Sequence, residues 1–511
     1  MKSDFEISAA LLAHPAGNDS SSCKHILILR VWSVMILLLC FGIGTARGQA
    51  VDPGPRGGAI NAGNAIAGLT ADQQRFFQNS LGQFTQVEAV PNPVPGAGGL
   101  GPTFNGNSCG MCHVQPAVGG TSPSTSAFPF LGPNPQVALA TAMNATNTVP
   151  SFVTSDGPVR EARFKYVIPS PVSGGPSPRF GFGGDRAVMN PEEAPVADGS
   201  VHDLFTIAGR SDAGTCTSYP QENFERGLAE NNVSFRIPTP VFGAGLVETI
   251  SDATILNNLA STAAERAALG IGGIPNRSGN DTSIARFGWK AQNKSLLMFA
   301  GEAYNVEMGI TNELFGNERG FGGVPPPPSC ILNPVPEDAT IFQPATSDPM
   351  NTPSDIVDFT IFMRFLDQPT PACTGTGCSA SIQNGRNLFI NLAKCAACHT
   401  PSMTTDQSDF APAALSAVQA NLFSDLVTHH MGTNLADGIS QGNAGPDQFR
   451  TAPLWGLGQR VYFLHDGRTS DLMQAIQAHS SQGSEANTVI HIFNGLTTSQ
   501  KQDLLNFLRS L

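Results

Sequence analysis

Charged residues are scarce in this chain, at 13% of 511 residues, and no cluster of lysine and arginine occurs. Together with the formal net charge of −12, this scarcity disfavours a nucleic-acid partner, because binding to a polyanion depends on basic patches. Aromatic residues are also few, at 7%, whereas glycine and proline number 54 and 39. This composition predicts many loops and few long amphipathic helices. A chain of this length can still form two or three domains with substantial cores.

The sequence has no apolar run of the ~20 residues that a membrane-spanning helix needs. The longest run, residues 31–46, follows Arg30 and precedes the small residues Gly48 and Ala50. This order of basic, apolar and small residues is typical of a signal peptide. We therefore predict that residues 1–50 are a signal peptide, with an uncleaved anchor as the alternative. The mature chain is then predicted to lie in the periplasm or otherwise outside the cytoplasm, without a stable membrane span.

The ten cysteines fall into three groups. Two lie in the predicted leader and four lie in two short motifs, which leaves Cys216, Cys330, Cys373 and Cys378. An even remainder in an exported chain favours disulfides. We predict that Cys373 and Cys378 form a local pair and that Cys216 and Cys330 form a long one. Free buried thiols are the alternative.

The strongest chemical signal is a repeated Cys-x-x-Cys-His motif. Two thiols three residues apart on one helical turn can add to the vinyl groups of a haem, and the adjacent imidazole can ligate its iron. A redox dithiol or half of a zinc site needs only Cys-x-x-Cys, so the repeated histidine favours two covalently bound haem c groups. The predicted binding residues are Cys109, Cys112 and His113 for the first haem and Cys395, Cys398 and His399 for the second.

Both motifs lie between helix-like segments. Residues 71–88 and 385–394 precede the motifs, and residues 352–366 and 498–511 close the two halves, each closing segment with a Phe-Leu pair near its end. For the last segment, Ser499 and Gln502 match a capping box. This repeated plan predicts a mainly α fold with two cytochrome c-like haem domains.

The first half is much longer than one cytochrome domain requires. We assign residues 51–368 to the first haem domain, with an insertion at about 114–285 that is rich in loops and contains a few short strands. Residues 369–380 are the predicted linker, and residues 381–511 are the second cytochrome c-like haem domain.

Four segments of the carboxy-terminal third carry a family resemblance. They are residues 423–432 (FSDLVTHHMG), 449–458 (FRTAPLWGLG), 463–468 (FLHDGR) and 472–479 (LMQAIQAH). In order and content they resemble the dihaem cytochrome c peroxidase superfamily, and within it the bacterial dihaem oxidoreductase family of peroxidase-like proteins. Some members of that family are labelled thiol oxidoreductases, but no residue of this sequence supports thiol oxidation. The resemblance extends from about residue 95 to the end.

The resemblance implies a ligand set for the second haem. In the superfamily the helix after the His-Asp-Gly motif supplies the distal ligand of the carboxy-terminal haem, which is methionine in the peroxidases. His479 holds that place here, which implies that His399 and His479 ligate one iron, with Met431 as the alternative. A histidine pair gives a lower reduction potential than His/Met, which departs from the peroxidase pattern.

The resemblance also implies catalytic residues near the first haem. The segment 305–309 (NVEMG) resembles the one that carries the catalytic glutamate of the peroxidases, so Glu307 is the expected acid and base. Trp289 stands near the tryptophan that they place between the haems and is the expected electron bridge. Their glutamine about ten residues before the glutamate is replaced here by Leu297, which weakens the expected cleavage of peroxide. Glu248 is a rival acid, and purely structural roles for Trp289 and Glu307 are the alternative.

Two functions follow from these residues. The first is an enzyme that reduces a small-molecule oxidant such as hydrogen peroxide at the first haem, with electrons from a redox-protein donor relayed through the second. The second is a dihaem electron-transfer protein without peroxidase activity, in which His202 completes the coordination of the first haem. A calcium ion between the haem domains is implied by the resemblance alone.

Overall fold

Two of the longer helices begin at capping boxes. Thr70 and Thr497 each form a capping box with the glutamine three residues later, Gln73 and Gln500. The helices are α1 (Ala71–Thr85), α2 (Cys109–Cys112), α3 (Pro135–Leu139), α4 (Phe224–Ala229), α5 (Ala244–Thr249), α6 (Asp252–Ser261), α7 (Ala263–Leu269), α8 (Leu296–Met308), α9 (Asp355–Phe365), α10 (Ala380–Asn387), α11 (Leu472–Ala478), α12 (Asn487–Gly495) and α13 (Thr498–Leu508).

This computed structural model describes residues 49–91, 98–124, 133–167, 196–321, 325–341, 353–409 and 411–511. All but the last two residues of the predicted signal peptide, 1–50, lie outside the described residues, so that assignment stays a prediction. Within the described part of the chain, no helix combines the length and the apolar character that crossing a membrane requires.

The strands are short and pair antiparallel. They are β1 (Thr103–Phe104), β2 (Glu161–Phe164), β3 (Val201–His202), β4 (Phe205–Thr206), β5 (Val233–Arg236), β6 (Met403–Thr404), β7 (Gln419–Ala420), β8 (Thr428–His430) and β9 (Gln448–Arg450). Strand β2 is the centre of a three-stranded sheet in the order β3-β2-β5, and the other strands form the pairs β1–β4, β6–β7 and β8–β9. The fold is therefore mostly helical with some short strands, as the sequence predicts.

Two helix pairs flank the two motifs. Helix α1 packs against α9, where the Phe84 and Phe362 rings lie 4.5 Å apart, and α10 packs against α13. Phe389, in the turn that continues α10, lies 5.5 Å from the Phe507 ring of α13. Gly385 permits the second crossing, because a Cβ atom there would lie 2.0 Å from the Asp503 carbonyl oxygen.

The buried apolar residues form one large core and several smaller ones. The residues of the large core lie between Ile66 and Trp455 in the sequence, and they include the buried side chains of α1 and α9. A second core contains Phe389 together with the leucines of α13, and Ala50 packs into it. Residues Ala50–Leu511 form one compact unit. The predicted boundary between two haem domains, at residues 369–380, stays a prediction.

Two disulfides fix loops of very different length. Cys216 is bonded to Cys330, 114 residues away, and Cys373 is bonded to Cys378, five residues away. Both pairs are those predicted from the sequence, and the prediction is confirmed.

Candidate functional site

The four cysteines of the repeated motif are free thiols. Cys109 and Cys112 begin and end helix α2, and Cys395 begins a single 3₁₀ turn that leads to Cys398. Pairs of free thiols on one turn of helix fit attachment to a porphyrin.

Each motif histidine is held in one tautomer by a backbone carbonyl. The Nδ1 atom of His113 lies 3.0 Å from the Gly120 oxygen, and Nδ1 of His399 lies 2.9 Å from the Phe423 oxygen. The ring proton on Nδ1 leaves Nε2 with a lone pair, as in a metal-bound imidazole. Burial lowers the pKa of both histidines to about 4, so both are neutral at pH 7.

Each motif lines a cavity. The first cavity, about 160 Å³, is lined by Cys109, Cys112 and His113, together with Phe84 of α1. The second cavity, about 210 Å³, is lined by Cys395, Cys398 and His399, together with Phe389. The Phe84 ring lies 6.0 Å from the His113 ring, and the Phe389 ring lies 6.2 Å from the His399 ring. The two cavities therefore repeat one arrangement of motif and aromatic side chain.

Two arginines in the wall of the second cavity have no acidic partner among the described residues. Arg460 is buried, Arg450 is partly buried, and neither forms a salt bridge within that part of the chain. Burial lowers the pKa of each to about 10. An uncompensated buried guanidinium is costly, and the two carboxylates of a porphyrin would neutralise this pair. The residues present therefore fit a haem.

Several side chains of the second cavity carry atoms that could ligate a haem iron opposite His399. His479 and Met431 both line it, and Nδ1 of His479 lies 2.7 Å from the Ala475 oxygen, which leaves its Nε2 available. His429 also lines the cavity, but its two ring nitrogens lie 2.7 Å from Glu485 and 2.9 Å from Asp425. These carboxylates engage both nitrogens, which removes His429 as an iron ligand.

Trp289 belongs to the walls of both cavities. Its indole N–H donates to the Ile237 carbonyl oxygen at 2.9 Å, and its ring is 9% exposed. The packing and the hydrogen bond hold one orientation of the ring. The structure therefore places this predicted residue where an aromatic group contacts both compartments.

Glu307 lines the first cavity, at the end of α8. The Asn105 amide donates to its Oε2 atom at 3.0 Å. Burial, followed by the negative charge of Glu161, raises the pKa of Glu307 well above its ordinary value. These surroundings favour the protonated carboxyl group, which can donate a proton inside the cavity.

Two other candidates lie away from the cavities. His202 does not line the first cavity, and its ring nitrogens lie 3.0 Å from Asp198 and 3.4 Å from Glu222. The hypothesis that it completes the coordination of the first haem is wrong, because both nitrogens are already engaged. Glu248 is 2.7 Å from Arg364 and lines neither cavity, so it is not a rival of Glu307.

Sequence reasoning missed several polar residues of the cavities. Glu161 and Arg163 reach the first cavity from β2, and Gln292 reaches it from the loop before α8. The expected glutamine position, Leu297, is instead packed against the large core. No sequence spacing connects these residues with each other or with the motifs. Arg450 of the second cavity lies in residues 449–458, which carry the family resemblance, and that resemblance was the only sequence feature that pointed to it.

The described residues contain one cluster of three side chains that could hold a metal ion, formed by Cys398, Asp425 and His429. Calcium prefers six to eight oxygen ligands, which this cluster does not offer. The calcium ion implied by the resemblance stays a prediction.

The chain is similar to one family of known proteins and, more weakly, to two solved structures. A family model described as "Di-haem oxidoreductase, putative peroxidase" matches residues 193–511. Comparison with curated protein sequences finds no match. Among solved structures, a MauG-like protein associated with microbial copper homeostasis is 18% identical with a TM-score of 0.23, and the match covers 33% of this chain and 55% of that one. Hydrazine synthase from Kuenenia stuttgartiensis, pressurised with xenon, is 17% identical with a TM-score of 0.21, over 40% of this chain and 71% of that one.

The match to the family model covers more than half of the chain, and it includes the second motif, Trp289, Glu307 and His479. The chain spans about half the length of the MauG-like protein. The family model matches most of the length of this chain. The chain belongs to the di-haem oxidoreductase family.

Proposed function

We propose that this protein is an exported dihaem c-type oxidoreductase that reduces peroxide at the first haem, with electrons from a redox protein relayed through the second. The observation that carries the proposal is the position of Glu307 in the cavity that His113 lines, where its surroundings raise the pKa of its carboxyl group. Family membership supports the reaction class. The proposed residues of attachment and ligation are Cys109, Cys112 and His113 for the first haem and Cys395, Cys398, His399 and His479 for the second.

Bound haem would supply the redox chemistry, which proteins tune through ligands and surroundings. The role of Glu307 is to deliver a proton to a peroxide oxygen inside the first cavity, because a neutral carboxyl can donate where water is largely excluded. The Asn105 amide fixes the direction of that carboxyl. The role of Trp289 is to join the two compartments with one aromatic ring, which its bond to Ile237 holds in place.

The alternative, an electron-transfer protein, requires a first iron with both axial positions filled. Among the described residues, His113 is the one histidine that lines the first cavity. This observation disfavours a second imidazole on the first iron, because the histidine proposed for that position is bound to carboxylates elsewhere. Met308 also lines the cavity, and its thioether is the axial ligand that the electron-transfer alternative would then need.

Export and two haem domains are part of the same proposal. The signal peptide rests on the order of basic, apolar and small residues before Val51. The two domains are supported by the repeated helix pairs, α1 with α9 and α10 with α13, each next to one motif.

The test uses chain produced in a bacterial host that attaches haem to c-type cytochromes. Two haems should remain bound after denaturation and acid extraction, and electron paramagnetic resonance should show a high-spin ferric signal from the first. Turnover of hydrogen peroxide should fall about 10²–10⁴-fold in Glu307→Gln. The matched control is Glu230→Gln, the same change at an exposed surface ion pair, which should keep full turnover. Two low-spin haems that do not react with peroxide would contradict the proposal.

A further inference from the structure

Glu161 approaches the first cavity from a part of the chain that precedes the segment matched by the family model, residues 193–511. It begins β2, whose pairing with β5 places Glu161 opposite Arg236. Because side chains alternate along a strand, Arg163 projects to the same face as Glu161. The sheet thus delivers one carboxylate and two guanidinium groups to a single wall of the cavity.

Glu161 and Glu307 both line the first cavity, and their carboxyl groups lie close enough for each to shift the pKa of the other. Asn105 donates to one oxygen of Glu307, and Arg163 donates to one oxygen of Glu161. Two ionised carboxylates at this range repel each other, which favours a proton on one of the two groups.

The surrounding charges decide which carboxyl carries the proton. Burial opposes ionisation of Glu161, but Arg163 and Arg236 hold its pKa below the ordinary value. On the other side, burial, Glu161 and Asp203 raise the pKa of Glu307. The resting pair is therefore an anion on Glu161 and an acid on Glu307.

We propose that Glu161 is the proton partner of Glu307, and that the two carboxyls act as one acid–base unit on a peroxide in the first cavity. This inference rests on the proposed function. It also supplies what the sequence lacks at Leu297, because the second polar group comes from strand β2 rather than from helix α8.

The unit accounts for the protons of the reaction. Reduction of one hydrogen peroxide to two water molecules breaks the O–O bond and consumes two electrons and two protons. The electrons come from the reduced redox-protein donor. Glu307 delivers each proton, and the Glu161 anion, held by Arg163, favours its replacement from solvent because two adjacent anions repel each other.

The first experiment follows the proton directly in haem-loaded protein by infrared spectroscopy. At neutral pH the wild type should show a carboxylic acid C=O band that is missing from Glu307→Gln. In Glu161→Gln the band should titrate at lower pH than in the wild type, because the neighbouring negative charge is gone. Glu230→Gln should match the wild type. A band that titrates at the same pH in Glu161→Gln and wild type would overturn the pairing.

The second experiment measures peroxide turnover in the same proteins. Glu161→Gln should lose about 10²-fold, and Glu161→Asp, which keeps the charge, should lose less. Haem content and circular dichroism verify that each variant folds. If the wild type lacks turnover while the infrared shift occurs, the pair stands and the peroxidase function fails. If Glu307→Gln loses turnover while Glu161→Gln keeps both turnover and the wild-type titration, the function stands and the pair fails.

Discussion

At the scale of single residues, hydrogen bonds separate histidines that can bind iron from those that cannot. His113, His399 and His479 each present Nδ1 to a backbone carbonyl oxygen, so Nε2 remains available. His202 and His429 each have a carboxylate on both nitrogens. A neutral imidazole is a ligand, whereas an imidazolium between two anions is a structural cation.

The ion pairs of His202 should make stability depend on pH. Burial opposes its charge, but the hydrogen bonds that the ring donates to Asp198 and Glu222 raise the pKa of His202 to about 9. A raised histidine pKa stabilises the fold fully below the unfolded value of ~6.5 and ceases to do so as pH rises through about 9. The difference between the two values corresponds to about 3 kcal/mol. Denaturant unfolding at pH 6 and pH 9.5 measures this contribution as a difference in the free energy of unfolding. Asp198→Asn should make that difference smaller.

Arg460, whose positive charge has no acidic partner among the described residues, should raise the reduction potential of the second haem. Removing a positive charge beside a haem stabilises its ferric form and lowers its reduction potential. We expect Arg460→Gln to lower the midpoint potential of the second haem in a spectroelectrochemical titration, with the first haem unchanged. The control is Arg386→Gln, an exposed arginine of α10. An unchanged potential in Arg460→Gln would show that this guanidinium does not interact with the haem.

The two motifs could be recognised from the sequence because the haem attachment proposed for them requires a fixed spacing. The spacing of Cys-x-x-Cys-His is set by one turn of helix, and both copies line cavities. Glu161 and Arg460 could not be predicted in this way. They reach the cavities because segments far apart in the sequence pair and pack together. A local sequence pattern does not predict which distant segments will be in contact.

At the scale of elements, the helix predictions were correct in position and less accurate at the ends. The last helix begins at Thr498, with the capping box formed by Thr497 and Gln500 rather than by Ser499 and Gln502. Both pairs have the right spacing, and a threonine two residues earlier gives the longer helix. The segment before the second motif begins at Ala380 and ends in a π-helical turn, Leu388–Leu392. A wider turn of this kind has no sequence signature.

Gly385 should be intolerant of any side chain. A Cβ atom at this position would lie 2.0 Å from the Asp503 carbonyl oxygen, so α10 and α13 would have to separate. We expect Gly385→Ala to lower the free energy of unfolding by about 3 kcal/mol. Gly82→Ala is the matched control, since Gly82 lies in α1 with nothing within 4 Å of its added Cβ. That variant should gain about 0.5–1 kcal/mol, and equal effects of the two changes would contradict the close approach.

At the scale of the whole molecule, the large core does not stop at the predicted linker. It includes Leu422, Leu426 and Trp455, although these residues belong to the predicted second domain. Hydrophobic periodicity identifies which residues are buried, but it does not identify the segment against which they pack.

The two disulfides should contribute unequally to stability. Closing a loop of about 100 residues removes more entropy from the unfolded chain than closing a short one. Replacing Cys216 and Cys330 by alanine should therefore cost about 4 kcal/mol, and the same change at Cys373 and Cys378 should cost clearly less. Thermal unfolding of the two double variants makes the comparison. A larger loss at the short loop would mean that local packing, and not chain entropy, is the source of the stabilisation.

Trp289 is a side chain of the first cavity and of the second. One indole is therefore exposed to the magnetic and electric environment of both compartments. A single fluorine atom on that ring would report on both cavities. Its nuclear magnetic resonance frequency would shift when the occupant of either cavity, or the oxidation state of that occupant, changed.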